Sequence, residues 1–402
     1  MKRIYLLFLL TVPLFSCITT IARPEVPEPE QTQESEQISA DTQESEQISA
    51  DTQEAVQESV EATTDIAKED VQPVVNTNDA LNALNRGKDL YAQGKLDEAI
   101  QEFNKAIAID SDMENAYFYR GLAYYGKKDY DRAIADYNEV IRLNPNNTVV
   151  YNDRGLAYYN KMDFDRAIAD YNQAIKLNSN NAEAYNNRGV AYKNKQDYDR
   201  AIADYNEAIR LNPNYADAYY NRGNAYYSKQ DYDRAIADYN QAIQLNPNDA
   251  SAYYNRGNVY RSKQDYDRAI ADYNQAIQLN PGNSDVFINR GIAYKNKQDY
   301  DRAIADYNEA IRLNPNNAVA YNNRGNAYRN KQDYDRAIAD YNQAIRLDPK
   351  YTSAYVNRGI VYEDNKNDLN RAIADYEAAL KIDPNAANVK QYLDAAKQKR
   401  GS

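Results

Sequence analysis

The segment KQDYDRAIADYN begins at Lys195 and recurs unchanged at Lys229, Lys263, Lys297 and Lys331. Each copy sets three carboxylates at a fixed spacing, Asp197, Asp199 and Asp204 in the first. Carboxylates so close in sequence could share a proton or hold a cation. Acid–base catalysis, however, needs two carboxyls in contrasting environments at one place, and near-identical copies every 34 residues are the opposite arrangement. The 402-residue chain has no His and one Cys, which removes the usual catalytic base, the His-activated nucleophiles and a Cys/His zinc site. The reading is therefore no enzyme, no catalytic residue, no metal and no cofactor. Asp197 and Asp199 are expected to cap a helix, since Asp readily accepts from the orphan amides of a first turn.

The elements that carry this phrase repeat as well. Gly87, Gly121, Gly155, Gly189, Gly223, Gly257, Gly291, Gly325 and Gly359 recur at a constant 34, each with a Pro or its substitute downstream. In the unit ADAYYNRGNAYYSKQDYDRAIADYNQAIQLNPND, which starts at Ala216, Tyr219, Gly223 and Tyr226 stripe a first helix. Tyr232, Ala235, Ile236, Tyr239, Ala242 and Ile243 stripe a second. SKQD separates the two, and Asn246-Pro247 ends the second. Neither helix can bury its stripe alone, so the units must stack. Small Ala and Gly let the helices approach, while the Tyr rings are expected to fill gaps with hydroxyls reaching a rim.

This pattern resembles the tetratricopeptide repeat family: aromatic at position 4 of the unit, Gly at 8, Tyr at 11, Ala at 20, aromatic at 24, Ala at 27 and Pro at 32. The resemblance covers nine units over 80–386. It implies an all-α, right-handed superhelical solenoid of nine helix-turn-helix units, closed by a capping helix over 387–402. Departures fall mostly at the ends, with Ala83, Leu90 and Ser111 in the first unit and one extra residue before Arg371 in the ninth, beside Val140 for an Ala in the second and Ser179 for the Pro in the third.

Position 7, commonly Leu in the family, is Arg in all nine units, and position 23 is acidic in all nine. Arg188 with Asp204, Arg222 with Asp238 and Arg256 with Asp272 are the central examples. A semi-buried guanidinium wants a planar carboxylate, so these are expected to form a structural ion-pair ladder. In the family, extended peptides meet the concave face through positions 2, 5, 9, 12 and 13. Here that implies Asn186, Tyr220, Asn224, Tyr254, Asn258, Asn322 and Asn326, with Lys193, Tyr227, Arg261, Lys295 and Arg329 at position 12. Amides and bases with few acids suit an extended polypeptide carrying acidic groups. No unit has the Lys at position 5 that the family's chaperone-carboxylate clamp requires. The expected partners are proteins or peptides, with no nucleic acid and no small-molecule substrate.

The formal charge of −12 sits at one end of the chain. Residues 18–79 hold 16 Asp or Glu against Arg23 and Lys68, whereas 80–402 balance 44 acids with 44 bases. A neutral body offers no electrostatic footprint for nucleic acid. The segment 18–79, rich in Glu, Gln, Ser and Thr and built on the decapeptide DTQESEQISA, cannot bury enough apolar area to order itself, so a disordered acidic tether is expected. Before it, MKR and a short apolar run broken by Pro13 have the layout of an export signal, too short to span a bilayer. Leu14-Phe15-Ser16-Cys17 resembles the lipobox of bacterial lipoproteins, with Phe15 larger than usual. The resemblance implies cleavage after residue 16 and a lipid on Cys17, and Ile18 rather than Asp favours the outer membrane of a Gram-negative envelope. The functional reading is a lipid-anchored, non-catalytic scaffold at the cell envelope, with a surface-exposed structural or adhesin-like lipoprotein as the alternative. Replacing Cys17 by Ser is expected to move the protein from the membrane to the soluble fraction. Fractionation of cells expressing Cys17→Ser checks this, and undiminished membrane association would remove the anchor.

Overall fold

The computed structural model describes residues 77–401. They form nineteen α-helices joined by short turns, with no strand among the described residues. The first helix of each unit alternates with the second: α1 (Thr77–Ala92) and α2 (Leu96–Ile109) open the stack, and α9 (Ala216–Ser228) and α10 (Tyr232–Leu245) form its middle unit. α17 (Thr352–Asp364) and α18 (Leu369–Ile382) make the ninth pair, and α19 (Ala387–Gly401) packs on α18. α1 starts at Thr77, three residues inside the segment read from sequence as tether. Cys17 and the remainder of that tether lie outside the described residues.

The turn between the helices of a unit is built from two devices set end to end. Gln196 adopts φ 61°, and the amide of Asp197 returns to the carbonyl of Tyr192 at 2.9 Å, closing the first helix with a left-handed residue. The same Asp197 then accepts from the amide of Arg200 at 3.2 Å and caps the second helix. Asp231, Asp265, Asp299 and Asp333 repeat this, so the first Asp of the phrase is the cap. The second is not. Asp199 instead pairs with Lys229 at the head of the next unit's phrase, and Asp233 with Lys263 likewise. In the ninth unit the extra residue is absorbed in the turn, where Lys366 still reaches Asp335 at 2.6 Å.

Packing is closest where position 8 meets position 24. A Cβ on Gly223 would lie 2.9 Å from Cε1 of Tyr239, and on Gly291 2.6 Å from Cε1 of Tyr307, so only Gly lets the ring lie flat against the first helix. The position-24 rings Tyr137 to Tyr376 are fully buried. The expectation that these hydroxyls reach a rim is therefore corrected: they end inside the protein. Their fate follows position 9. Tyr239, Tyr273 and Tyr341 donate to Asn224, Asn258 and Asn326 at 2.7, 2.8 and 2.9 Å. In units with Leu156, Val190 or Ile292 at position 9, the hydroxyls of Tyr171, Tyr205 and Tyr307 are buried without a partner. A buried hydroxyl left unsatisfied is costly, and supplying its bond returns about 0.5–1.5 kcal/mol. Val190→Asn should therefore raise the stability of the repeat body by that amount in urea unfolding. The gain should vanish when Tyr205 is also made Phe.

Candidate functional site

First helices of neighbouring units touch one another along most of the stack, whereas no second helix makes a comparable approach to the next second helix. The stack therefore bends toward its first helices, which form the inner face. Among the described residues no cluster of His, Cys, Asp or Glu could hold a metal. The surface hollows are shallow and lie along the turns, such as the one lined by Lys263, Asp265, Tyr266, Asp267 and Lys297. The inner face is thus the part of the molecule with distinctive chemistry.

The ladder residues lie between helices. Arg188 makes two parallel bonds to Asp204, Nε–Oδ2 2.9 Å and Nη2–Oδ1 2.6 Å. Arg222 binds Asp238, and Arg256 binds Asp272, in the same way at 2.8 and 2.7 Å. The Asp side chains are almost fully buried and the Arg side chains partly so. Burial pushes the Asp204 carboxyl upward, against the pull of the Arg188 guanidinium. A third bond was not anticipated: Nη1 of Arg222 donates to Asn206 of the preceding unit at 2.6 Å, and Arg256 to Asn240 likewise. Each guanidinium also lies over the position-4 ring, 5.5 Å from Tyr219 for Arg222.

The residues expected to line the groove fall into two groups. Asn186 and Asn322 are buried, accepting from Asn221 and Asn357 of the following units at 3.1 and 3.0 Å. The phenol oxygens of Tyr220 and Tyr254 accept from Asn255 and Asn289 at 2.9 and 2.6 Å. Asn224, Asn258 and Asn326 accept the buried tyrosines already described. Positions 5 and 9 therefore spend much of their hydrogen-bonding capacity on the frame. Position 6 carries this inter-unit rung, and only its run of Asn residues from Asn187 onward hinted at it in the sequence.

Position 12 behaves differently. Where it is Tyr, a second rung forms: Tyr125 and Tyr159 accept from Asn160 and Asn194 at 2.8 and 2.9 Å, and Tyr227 meets Ser262 at 3.5 Å. Where it is a base, that rung is absent. Lys193, Arg261, Lys295 and Arg329 are half-buried on first helices and make no salt bridge among the described residues. Burial pushes the Lys193 ammonium down, and burial together with Arg329 does the same to Lys295. The Nε of Arg261 is buried with no partner. These four bases stand apart from the position-7 guanidiniums, all of which hold a carboxylate.

The description "TPR repeat" matches residues 87–128, 163–196, 192–230, 223–261 and 325–366. "Tetratricopeptide repeat" matches 114–147, 250–283, 284–317, 306–339 and 352–386. The chain belongs to the tetratricopeptide repeat family. No curated protein matches the sequence. Among solved structures, a tetratricopeptide repeat protein from Parabacteroides merdae is 21% identical with a TM-score of 0.50, covering 62% of this chain and 98% of that one. The Cut9–Hcn1 hetero-tetramer of the APC/C is 17% identical with a TM-score of 0.50, covering 79% and 76%. YrrB, described as a TPR protein with an unusual peptide-binding site, is 25% identical with a TM-score of 0.40, covering 46% and 95%. The first two share the fold. Tetratricopeptide repeats in general mediate protein–protein interactions, and the scaffold typically carries no catalysis.

The repeat ladder is open to a direct test. Arg222→Leu alone strands the buried Asp238 carboxylate and should cost about 3–5 kcal/mol, whereas Arg222→Leu with Asp238→Leu should cost clearly less. A coupling energy near zero in urea unfolding would show the pair to be independent.

Proposed function

We propose that this protein is a non-catalytic adaptor, held to the cell envelope by a lipid on Cys17, that binds extended polypeptide partners along the inner face of its repeats. The observation that carries the reading is a contrast within each unit. The second helices repeat almost letter for letter and commit their position-23 carboxylates to the frame. The first helices vary at positions 5, 9 and 12, and on four units position 12 is a base that holds no carboxylate among the described residues. Variation confined to one strip of a regular stack is what reading a particular partner requires, since shared residues cannot discriminate along its length. An extended chain suits such a strip because its own backbone groups can take up amide donors at each unit.

The segment before the repeats supports the envelope half of the reading. Between Ile18 and Asp79 the chain carries sixteen acids against two bases, a composition that suits a solvated linker between an anchored Cys17 and the repeats. The lipobox resemblance favours the outer membrane.

Photo-crosslinking in intact cells tests the proposal. p-Benzoylphenylalanine placed at position 227, on the inner face, should give discrete protein adducts that compete with unmodified repeat body. The same group at the exposed position 244, on a second helix, should give none. Adducts from 244 and none from 227 would move recognition to the outer face. Loss of the repeat body on protease treatment of intact cells would favour the surface-exposed alternative.

A further inference from the structure

Within that groove, one stretch combines three features found together nowhere else on the inner face. α11 (Ala250–Ser262), α13 (Ser284–Asn296) and α15 (Ala318–Asn330) carry Arg261, Lys295 and Arg329 at position 12 on three consecutive units. None of the three holds a carboxylate, although every position-7 Arg around them does. Lys295 and Arg329 are also near enough to repel, Arg329 helping to depress the Lys295 ammonium. Two like charges half-buried side by side without a counter-ion are unfavourable unless an anion completes them.

The hydrogen bonding around this stretch is interrupted as well. Ile288 stands at position 5 where units three to six and unit eight have Asn or Tyr, and Asn323, the position-6 amide that would bond there, has no partner among the described residues. Asn326 accepts from Tyr341 through its oxygen, leaving its NH2 unpaired. Two amide donors thus lie on the same helix as Arg329, unspent.

We propose that units six to eight recognise an acidic, extended polypeptide segment, one side-chain carboxylate seating between Lys295 and Arg329 and another at Arg261, with Asn323 and Asn326 donating to its backbone. The assignment rests on the groove reading above and narrows it to a ligand chemistry. First helices in contact pack about 8–10 Å apart, and an extended chain advances about 3.3 Å per residue. Acidic residues three apart therefore reach the bases of adjacent units. Apolar and basic segments are disfavoured by the same bases, whose desolvation an anionic group offsets.

The test uses the full chain and a fluorescent twelve-residue peptide of Gly and Ser with Glu at every third position, read by anisotropy. The Glu peptide should bind and its Gln counterpart should not. Lys295→Gln with Arg329→Gln should weaken binding by about tenfold or more, the scale of a lost charge-assisted contact. The same double variant should melt no lower than the parent, because it relieves a repulsion. That separates recognition from a structural role, and a fall in melting temperature equal to the loss of binding would overturn the assignment. Equal binding of the Glu and Gln peptides would also overturn it, as would tighter binding of a single-stranded oligonucleotide of the same length. If partner adducts still form at position 227 while the Glu peptide is ignored, the groove stands and the acidic specificity falls.

Discussion

The guanidinium at position 7 is the interaction on which the stack depends. It binds its own unit's second helix through two bonds to position 23, the preceding unit's second helix through Nη1 to the Asn at position 25, and its own first helix by lying over the ring at position 4. A planar fork with five fixed donors can do this, and a lysine could not. The first unit shows what the preceding helix contributes. Arg86 has no unit before it, keeps only the bond to Glu102 at 2.9 Å, and remains 60% exposed, against 19% for Arg222.

Around that fork the remaining packing is set by volume. The ring at position 24 lies where a Cβ at position 8 would fall, so Gly and Tyr select each other, and Ala at positions 3, 10, 20 and 27 is fully buried in the middle unit. The convex edge adds the Lys–Asp pairs between successive phrases. Those are exposed, with the Asp more than three-quarters accessible in the central units, and exposed pairs contribute little to stability. Their value is registry: each fixes one turn relative to the next at the same place in every unit.

Much of this was legible in the sequence. A separation of sixteen between the Arg and the acid in eight units, and of seventeen in the ninth, where the extra residue lies between Arg358 and Asp375, pointed to a pair because helix geometry makes such a spacing meaningful only if the two face each other. The Asp cap and the helix stops followed from local chemistry. What escaped was every contact between units. Asn206 looks like any exposed amide until the next Arg is seen to cover it, and the Asn at position 6 gives no sign of its partner 35 residues back. Position 9 was read as surface lining, yet its identity decides whether a buried phenol is satisfied. Sequence periodicity reports what recurs within a unit, but neighbouring units meet through pairs whose offset depends on how the stack curves.

That distinction bears on where such a chain can acquire specificity. Substitution at position 7, 8, 23 or 24 strands a charge or collides with a ring. Positions 5 and 9 are only half free, since each carries a rung or caps a phenol as well as facing the groove. Position 12 is the exception: Tyr there closes a rung, but a base leaves the frame's other bonds in place, as the intact Arg290–Asp306 and Arg324–Asp340 pairs beside Lys295 and Arg329 demonstrate. The cost of the exchange is a half-buried charge and one lost inter-unit bond per unit. A chain that accepts this on four of nine units has traded stability for surface potential at the one inner-face position where its frame permits it.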